Sequence, residues 1–293
     1  MNEKNTRARL LLFFIGIPLL ILSLFFLQFA HYMIISGILL VVQFLSSKEL
    51  RNMLTRAAMP DSGDSLTFIG LIPSVLTYIS CFLSGSPLET AFVLFIAWSF
   101  CLILMLVPLA FQKKNSFPEL IKQAASIVLV HFYTALLPGF LIFIVSGFPN
   151  SQYTIITFAM LTFGNDSLAW LFGKYLAKKR NLLDVSPNKS VAGFIGGTIG
   201  SIIAAFIGLG PMAGTWKPSG ASYTLLSLSL GLGMAFFVIV GDLFESALKR
   251  SARMKDSGSI VPGRGGILDS FDSLYFSAPF FVAFSFSFHL FNL

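Results

Sequence analysis

Charge is what this sequence has least of. Asp, Glu, Lys and Arg make up 11% of its 293 residues, and 55% are hydrophobic. A soluble globular domain carries about 25% charged residues. With a mean hydropathy of +0.82, the chain reads poorly as a soluble enzyme, a disordered tail or a nucleic-acid binder. Cysteine is nearly absent. Cys81 and Cys101 lie in separate apolar runs, without the spacing of a disulfide framework or a zinc site, and read as packing residues. There is no Gly-x4-Gly-Lys-[Ser/Thr], no His-Glu-x-x-His and no Gly-x-Ser-x-Gly. The three histidines, His31, His131 and His289, fall in separate apolar runs and are not expected to be catalytic.

Long apolar runs are what the sequence does have. A helix needs about 20 apolar residues to cross the hydrocarbon core. The first run, 10–45, is too long for one crossing and is split near His31 into a hairpin. Further runs occupy 66–84, 88–111, 119–146, 152–173, 190–210, 222–248 and 274–293. The expected fold is therefore all-α, a polytopic transmembrane helical protein of about nine spans. Lys4, Arg7 and Arg9 precede the first run, but no small-x-small cleavage site closes it, so it is expected to stay as an uncleaved helix.

Lysine and arginine set the orientation. With the N-terminus in the cytoplasm, alternating loops place every one of the 20 basic residues on the cytoplasmic side except Lys217. The division expected is 1–150, N-terminal helices (spans one to five), and 151–293, a catalytic region (spans six to nine). The second part carries cytoplasmic loops at 174–190 and 249–273. No internal repeat or low-complexity tract is visible.

Ionisable residues inside a span cost about 2.5–3.5 kcal/mol at its centre, so they are functional candidates. Asp166, in Phe163-Gly-Asn-Asp-Ser-Leu-Ala-Trp170, and Asp242, after a long apolar run, stand out. Asp242, Glu245, Ser246 and Lys249 are spaced to share one helical face. Two carboxylates there suit a hard divalent cation such as Mg2+, which shares its shell with phosphates and water. The alternative is an amphipathic helix end with a Glu245–Lys249 pair.

The segment beyond combines glycines 258, 263, 265 and 266 with Lys249, Arg250, Arg253, Lys255 and Arg264, and with Asp256, Asp269 and Asp272. Flexible backbone amides, positive charge and oxygen ligands together read as a polyphosphate–metal site. The mixed signs argue against a polybasic lipid patch. In Asp184-Val-Ser-Pro-Asn-Lys-Ser190, Ser186 reads as a local cap or turn, and Lys189 sits at a helix start that welcomes an anion. Gly193, Gly196, Gly197 and Gly200 form a stripe expected to pack against another helix.

Four pieces, in order, carry a resemblance: Ser246-Ala-Leu-Lys-Arg250, Lys255-Asp-Ser-Gly258, Pro262-Gly-x-Gly-Gly266 and Leu268-Asp-x-x-Asp272. They resemble the C-terminal signature of the CDP-diacylglycerol synthase (phosphatidate cytidylyltransferase) family. Gly241-Asp242-Leu243, Asn165-Asp166 and Ser186-Pro-x-Lys-Ser190 resemble further family motifs, so the likeness covers about 160–275. The chain departs from the pattern at Arg264 (His in the family), Ser270 (Arg) and Val191-Ala192 (Trp-Glu).

The resemblance implies a Mg2+-dependent nucleotidyltransferase of the inner (cytoplasmic) membrane, its site facing the cytoplasm. It would transfer CMP from CTP to phosphatidic acid in phospholipid biosynthesis. Asp242 and Asp256 would be metal ligands, with a monovalent cation such as K+ as an optional companion. Lys249, Lys255 and Asp166 would complete the catalytic set. Ser246, Arg250, Ser186, Lys189, Gly265, Gly266, Arg264, Asp269 and Asp272 would line the substrates. A homodimer in the lipid bilayer is expected, and no nucleic-acid partner. The alternatives are a CTP-dependent lipid-alcohol kinase, a cytidylyltransferase for another lipid phosphate, and an ion-coupled transporter.

Overall fold

The computed structural model describes residues 22, 24–61, 63–83, 86–112, 117–148, 151–177, 183–210, 220–261, 263 and 265–288. No strand occurs among them, only an isolated antiparallel bridge between Val261 and Gly265. The helices are α1 Phe29–Arg56, α2 Asp64–Ile69, α3 Ile72–Leu83, α4 Pro87–Ala110, α5 Phe117–His131, α6 Leu137–Ser146, α7 Ser151–Tyr175, α8 Val191–Leu209, α9 Gly220–Ser251 and α10 Leu268–Ser287. Among the described residues seven stretches are long and apolar enough to cross a membrane, α2 with α3 and α5 with α6 each counting as one. The protein is an all-α polytopic membrane protein. Most of the first expected span lies outside the described residues.

An outward apolar face explains the hydropathy. On α4, Leu94, Ala97, Cys101 and Met105 turn inward, whereas Phe92, Phe95, Ile96, Phe100 and Ile103 are exposed. A soluble helix would bury that second set, and hydrocarbon is the solvent that satisfies it.

The chain forms two compact units, 1–147 with 248–271 and 148–247 with 272–293. In the first, Ala30, His31 and Tyr32 take left-handed conformations at the expected hairpin break. Tyr78 Oη donates to the Ala30 carbonyl at 2.5 Å, and Ser146 Oγ to that of His31 at 2.9 Å. A π-helical turn, Phe132–Leu136, joins α5 to α6 just before Pro138. The proline ring would crowd the carbonyl four residues earlier in a regular helix, and the wider turn relieves it.

Two boundaries differ from expectation. The second span was expected to end at 45, but α1 continues to Arg56, so Lys48, Arg51 and Arg56 are helical rather than in a loop. Buried Arg51 anchors the extension, donating to Asp61 at 2.9 Å and Asp64 at 2.8 Å, both exposed, and to buried Thr67 at 3.0 Å. The last span was expected to begin at 274, but α10 starts at Leu268 and places Asp269 in its first turn.

In the second unit the expected glycine stripe packs α8 on α7. A Cβ at Gly196 would meet the Leu168 carbonyl oxygen at 2.6 Å, one at Gly197 would meet Asn165 Oδ1 at 2.7 Å, and one at Gly200 would strike the Gly164 carbonyl oxygen. Asn165 seals the pair by donating to Ser201 Oγ at 3.0 Å, and Ser201 Oγ donates to the Leu161 carbonyl at 3.0 Å.

Candidate functional site

The motif residues divide between the two units. In the first, α9 ends at Ser251 in a hydrogen-bonded cap. Met254 N–H reaches back to the Lys249 carbonyl at 2.8 Å and Arg253 N–H to that of Arg250 at 3.0 Å, with Arg253 left-handed. The chain then runs irregularly to α10. Within it Val261 and Gly265 exchange backbone hydrogen bonds of 2.8 and 3.1 Å, closing a tight loop with Gly263 and Gly265 at positive φ.

Two carboxylates organise this segment. Asp269 Oδ2 accepts the Ser257 N–H at 2.8 Å, the Gly266 N–H at 2.7 Å and the Ser257 hydroxyl at 2.9 Å. Its Oδ1 accepts from Lys249 Nζ at 2.6 Å, in a pair whose side chains are 7% and 14% exposed. Burial pushes the Asp269 carboxyl up, but Lys249 and the two amides outweigh it and hold the group below the usual carboxylate range.

The second carboxylate is Glu49, from α1 and 5% exposed. It accepts the Ile267 N–H at 3.0 Å and the Leu268 N–H at 2.8 Å, and at 3.1 Å shares the one Ser257 hydroxyl proton with Asp269. These amides open α10, where donors lack helical partners and a negative charge is stabilising.

The glycines fit this packing sterically. A Cβ at Gly265 would meet Asp269 Oδ2 at 2.5 Å, one at Gly266 would meet Glu49 Oε2 at 2.5 Å, and one at Gly258 would strike Glu49 Oε1. The Gly266 amide, expected to face a bound anion, is turned onto Asp269 instead, and Gly265 N–H serves Val261. Around this knot Arg250, Lys255 and Asp256 remain exposed. Arg264 lies outside the described residues. Ser270, where the family pattern has Arg, donates to the Gly266 carbonyl at 3.3 Å.

In the second unit Lys189 pairs with Asp242 on α9. Their side chains are 32% and 26% exposed, so both can still meet solvent or a ligand. The Lys189 N–H bonds to the Ser186 carbonyl at 3.1 Å, and Ser190 caps α8 by accepting from Gly193 N–H at 3.1 Å. Glu245 and Ser246 are buried on α9, whereas Asp166 is exposed on α7. Gly241 lets α10 approach α9, since a Cβ there would meet the Asp272 carbonyl oxygen at 2.9 Å. Asp272 is buried there, its carboxylate accepting the Ser273 N–H at 2.6 Å.

No three His, Cys, Asp or Glu side chains gather into a metal-binding group among the described residues. Asp242 and Asp256 offer accessible carboxylate oxygens. They fall in different units, and each is an oxygen donor of the kind Mg2+ takes alongside phosphates and water, not the nitrogen and sulfur set typical of zinc.

Glu49 is the organising residue that sequence reasoning missed. A carboxylate in the buried half of a helix, between Leu45 and Met53 one turn either side, was the available signal.

A family model described as the cytidylyltransferase family matches residues 7–288. The chain is 39% identical over 126 residues to a protein of Synechocystis named phosphatidate cytidylyltransferase, covering 43% of this chain and 40% of that protein. It is 37% identical over 141 residues to one so named from Staphylococcus aureus, covering 48% and 52% respectively. It is 42% identical over 121 residues to another from Bacillus subtilis, covering 41% and 43%. The match thus spans about half the length of these curated relatives.

Proposed function

The chain belongs to the cytidylyltransferase family, and on that premise we propose that it transfers CMP from CTP to phosphatidic acid, releasing pyrophosphate and leaving CDP-diacylglycerol. The observation that carries the reading is the segment 249–269. Its amides and glycines are folded tightly on Asp269 and Glu49, while Arg250, Lys255 and Asp256 stand exposed on it. A rigid frame bearing exposed bases and a carboxylate suits a soluble polyphosphate.

A phosphate oxygen of phosphatidic acid attacks the α-phosphorus of CTP. The new P–O bond forms as the bond to the β-phosphate breaks, and pyrophosphate carries away the electron pair. A phosphate monoester is already ionised near neutral pH, so no strong general base is needed. Catalysis is mainly positioning and charge neutralisation. Lys189, Arg250 and Lys255 neutralise phosphates, and Lys249 adds charge beside the loop. Arg264, Ser186 and Ser246 contact the substrates. Asp166 adds a polar contact, and Asp272 with Gly265 and Gly266 shapes the walls. Asp242 and Asp256 would hold Mg2+, which when bound would offset phosphate charge. K+ as a companion ion, a homodimer and a cytoplasm-facing site in the inner membrane complete the proposal. Nineteen of the 20 basic residues on one side support that orientation.

The test is incubation of purified protein in detergent with cytidine-labelled CTP and phosphatidic acid, with and without Mg2+. Label entering lipid, with pyrophosphate released and only when the metal is present, is the expected result. Release of CDP would instead identify a kinase. Full incorporation by Asp242→Asn with Asp256→Asn would overturn the residue assignment.

A further inference from the structure

We propose that Glu49 is a positioning residue for nucleotide transfer: it holds the segment bearing Lys255 and Asp256 in its working shape. The proposal rests on the reading of that segment as the CTP-handling element. No motif of the second half contains Glu49, and it lies 208 residues from Ser257 and 219 from Leu268.

Three observations carry it. First, a carboxylate this deeply buried needs several donors to offset its lost hydration, and the donors given to Glu49 all come from one segment: Ser257 Oγ–H, Ile267 N–H and Leu268 N–H. They grip that segment at both ends, just after Asp256 and just before Asp269. Second, a Cβ at Gly258 would strike the Glu49 carboxylate, and one at Gly266 would strike Ser257 Oγ and meet Glu49 Oε2 at 2.5 Å. Gly258 is thereby explained by a side chain outside the signature, and Gly266 in part. Third, Ser257 is shared. Its hydroxyl contacts Glu49 Oε2 and Asp269 Oδ2 at 3.1 and 2.9 Å, so Glu49 and the Lys249–Asp269 pair act on the same loop residue.

Glu49 is 5% exposed, with its carboxylate spent on the loop. It acts through the loop backbone, whose displacement by about 1 Å is enough to lower turnover about a hundredfold.

Glu49→Gln keeps the shape but presents an NH2 group to backbone donors. The expected result is a loss of at least about tenfold in kcat/KM for CTP, with KM for phosphatidic acid within about twofold of wild type. Hydrogen exchange should rise in peptides covering 255–268 and stay unchanged in those of α4 and α8. Glu49→Asp, which keeps the charge on a shorter arm, should recover part of the activity. Ser257→Ala, which removes one donor and leaves both amides, serves if Glu49→Gln does not fold, and should show the same pattern more weakly.

Wild-type kinetics and exchange in Glu49→Gln would overturn the proposal. So would equal losses for both substrates with exchange raised throughout the protein. If wild-type protein incorporates no label, the reading of function fails, and the exchange arm still decides whether Glu49 holds the loop.

Discussion

Lys249 and Asp269 face each other with 14% and 7% of their side chains exposed, and removing one partner strands the other. Lys249→Met should cost about 3–5 kcal/mol of stability, read as a lowered midpoint of thermal unfolding in detergent. Asp269 keeps its amide donors in that variant, so the loss should fall at the low end. The pair also sets a pH dependence. Because the folded carboxyl is held below its ordinary value, its contribution is fully present above the unfolded value of about 3.9 and lost as pH falls through the lower folded one. Asp269→Asn abolishes that contribution. The stability gap between wild type and Asp269→Asn should therefore be constant from neutral pH to about pH 5 and close below about pH 4.

Helix ends and the helix pair α7 and α8 carry the predictions of the next scale. α1 stops with Met59 N–H on the Leu54 carbonyl at 3.0 Å and Ala58 N–H on that of Thr55 at 3.1 Å, with Ala58 at φ 59°. A residue with a Cβ is strained there, so Ala58→Gly should raise stability by about 1 kcal/mol. Gly200→Ala should do the reverse, lowering it by about 1–3 kcal/mol as the added methyl is forced against the Gly164 backbone. Much at this scale was legible in the sequence. Apolar run length gave the helices, the split expected near His31 falls where Ala30, His31 and Tyr32 leave helical geometry, and the glycine spacing announced a packing face. What was not legible was long-range. Glu49 shows no partner within its own helix pattern, because the amides it serves lie 218 and 219 residues away. Glycines 265 and 266 read as an anion cradle from sequence, because the pattern for holding a ligand carboxylate or phosphate is also the pattern for holding an internal one.

The whole molecule is apolar outside as well as inside, and its orientation is open to direct measurement. Cys81 and Cys101 are each 2% exposed, so they should stay silent toward a membrane-impermeant maleimide. Ser259→Cys should label only from the cytoplasmic face of sealed vesicles and Glu89→Cys only from the other, and the opposite pattern would reverse the proposed orientation. The contact between Glu49 and the start of α10 also has a consequence for biosynthesis. Its carboxylate leaves the ribosome 218 and 219 residues ahead of the Ile267 and Leu268 amides. The loop cannot settle until those two residues have been made, so a ribosome stalled just before them would already carry α1 to α9 and still hold an unassembled loop.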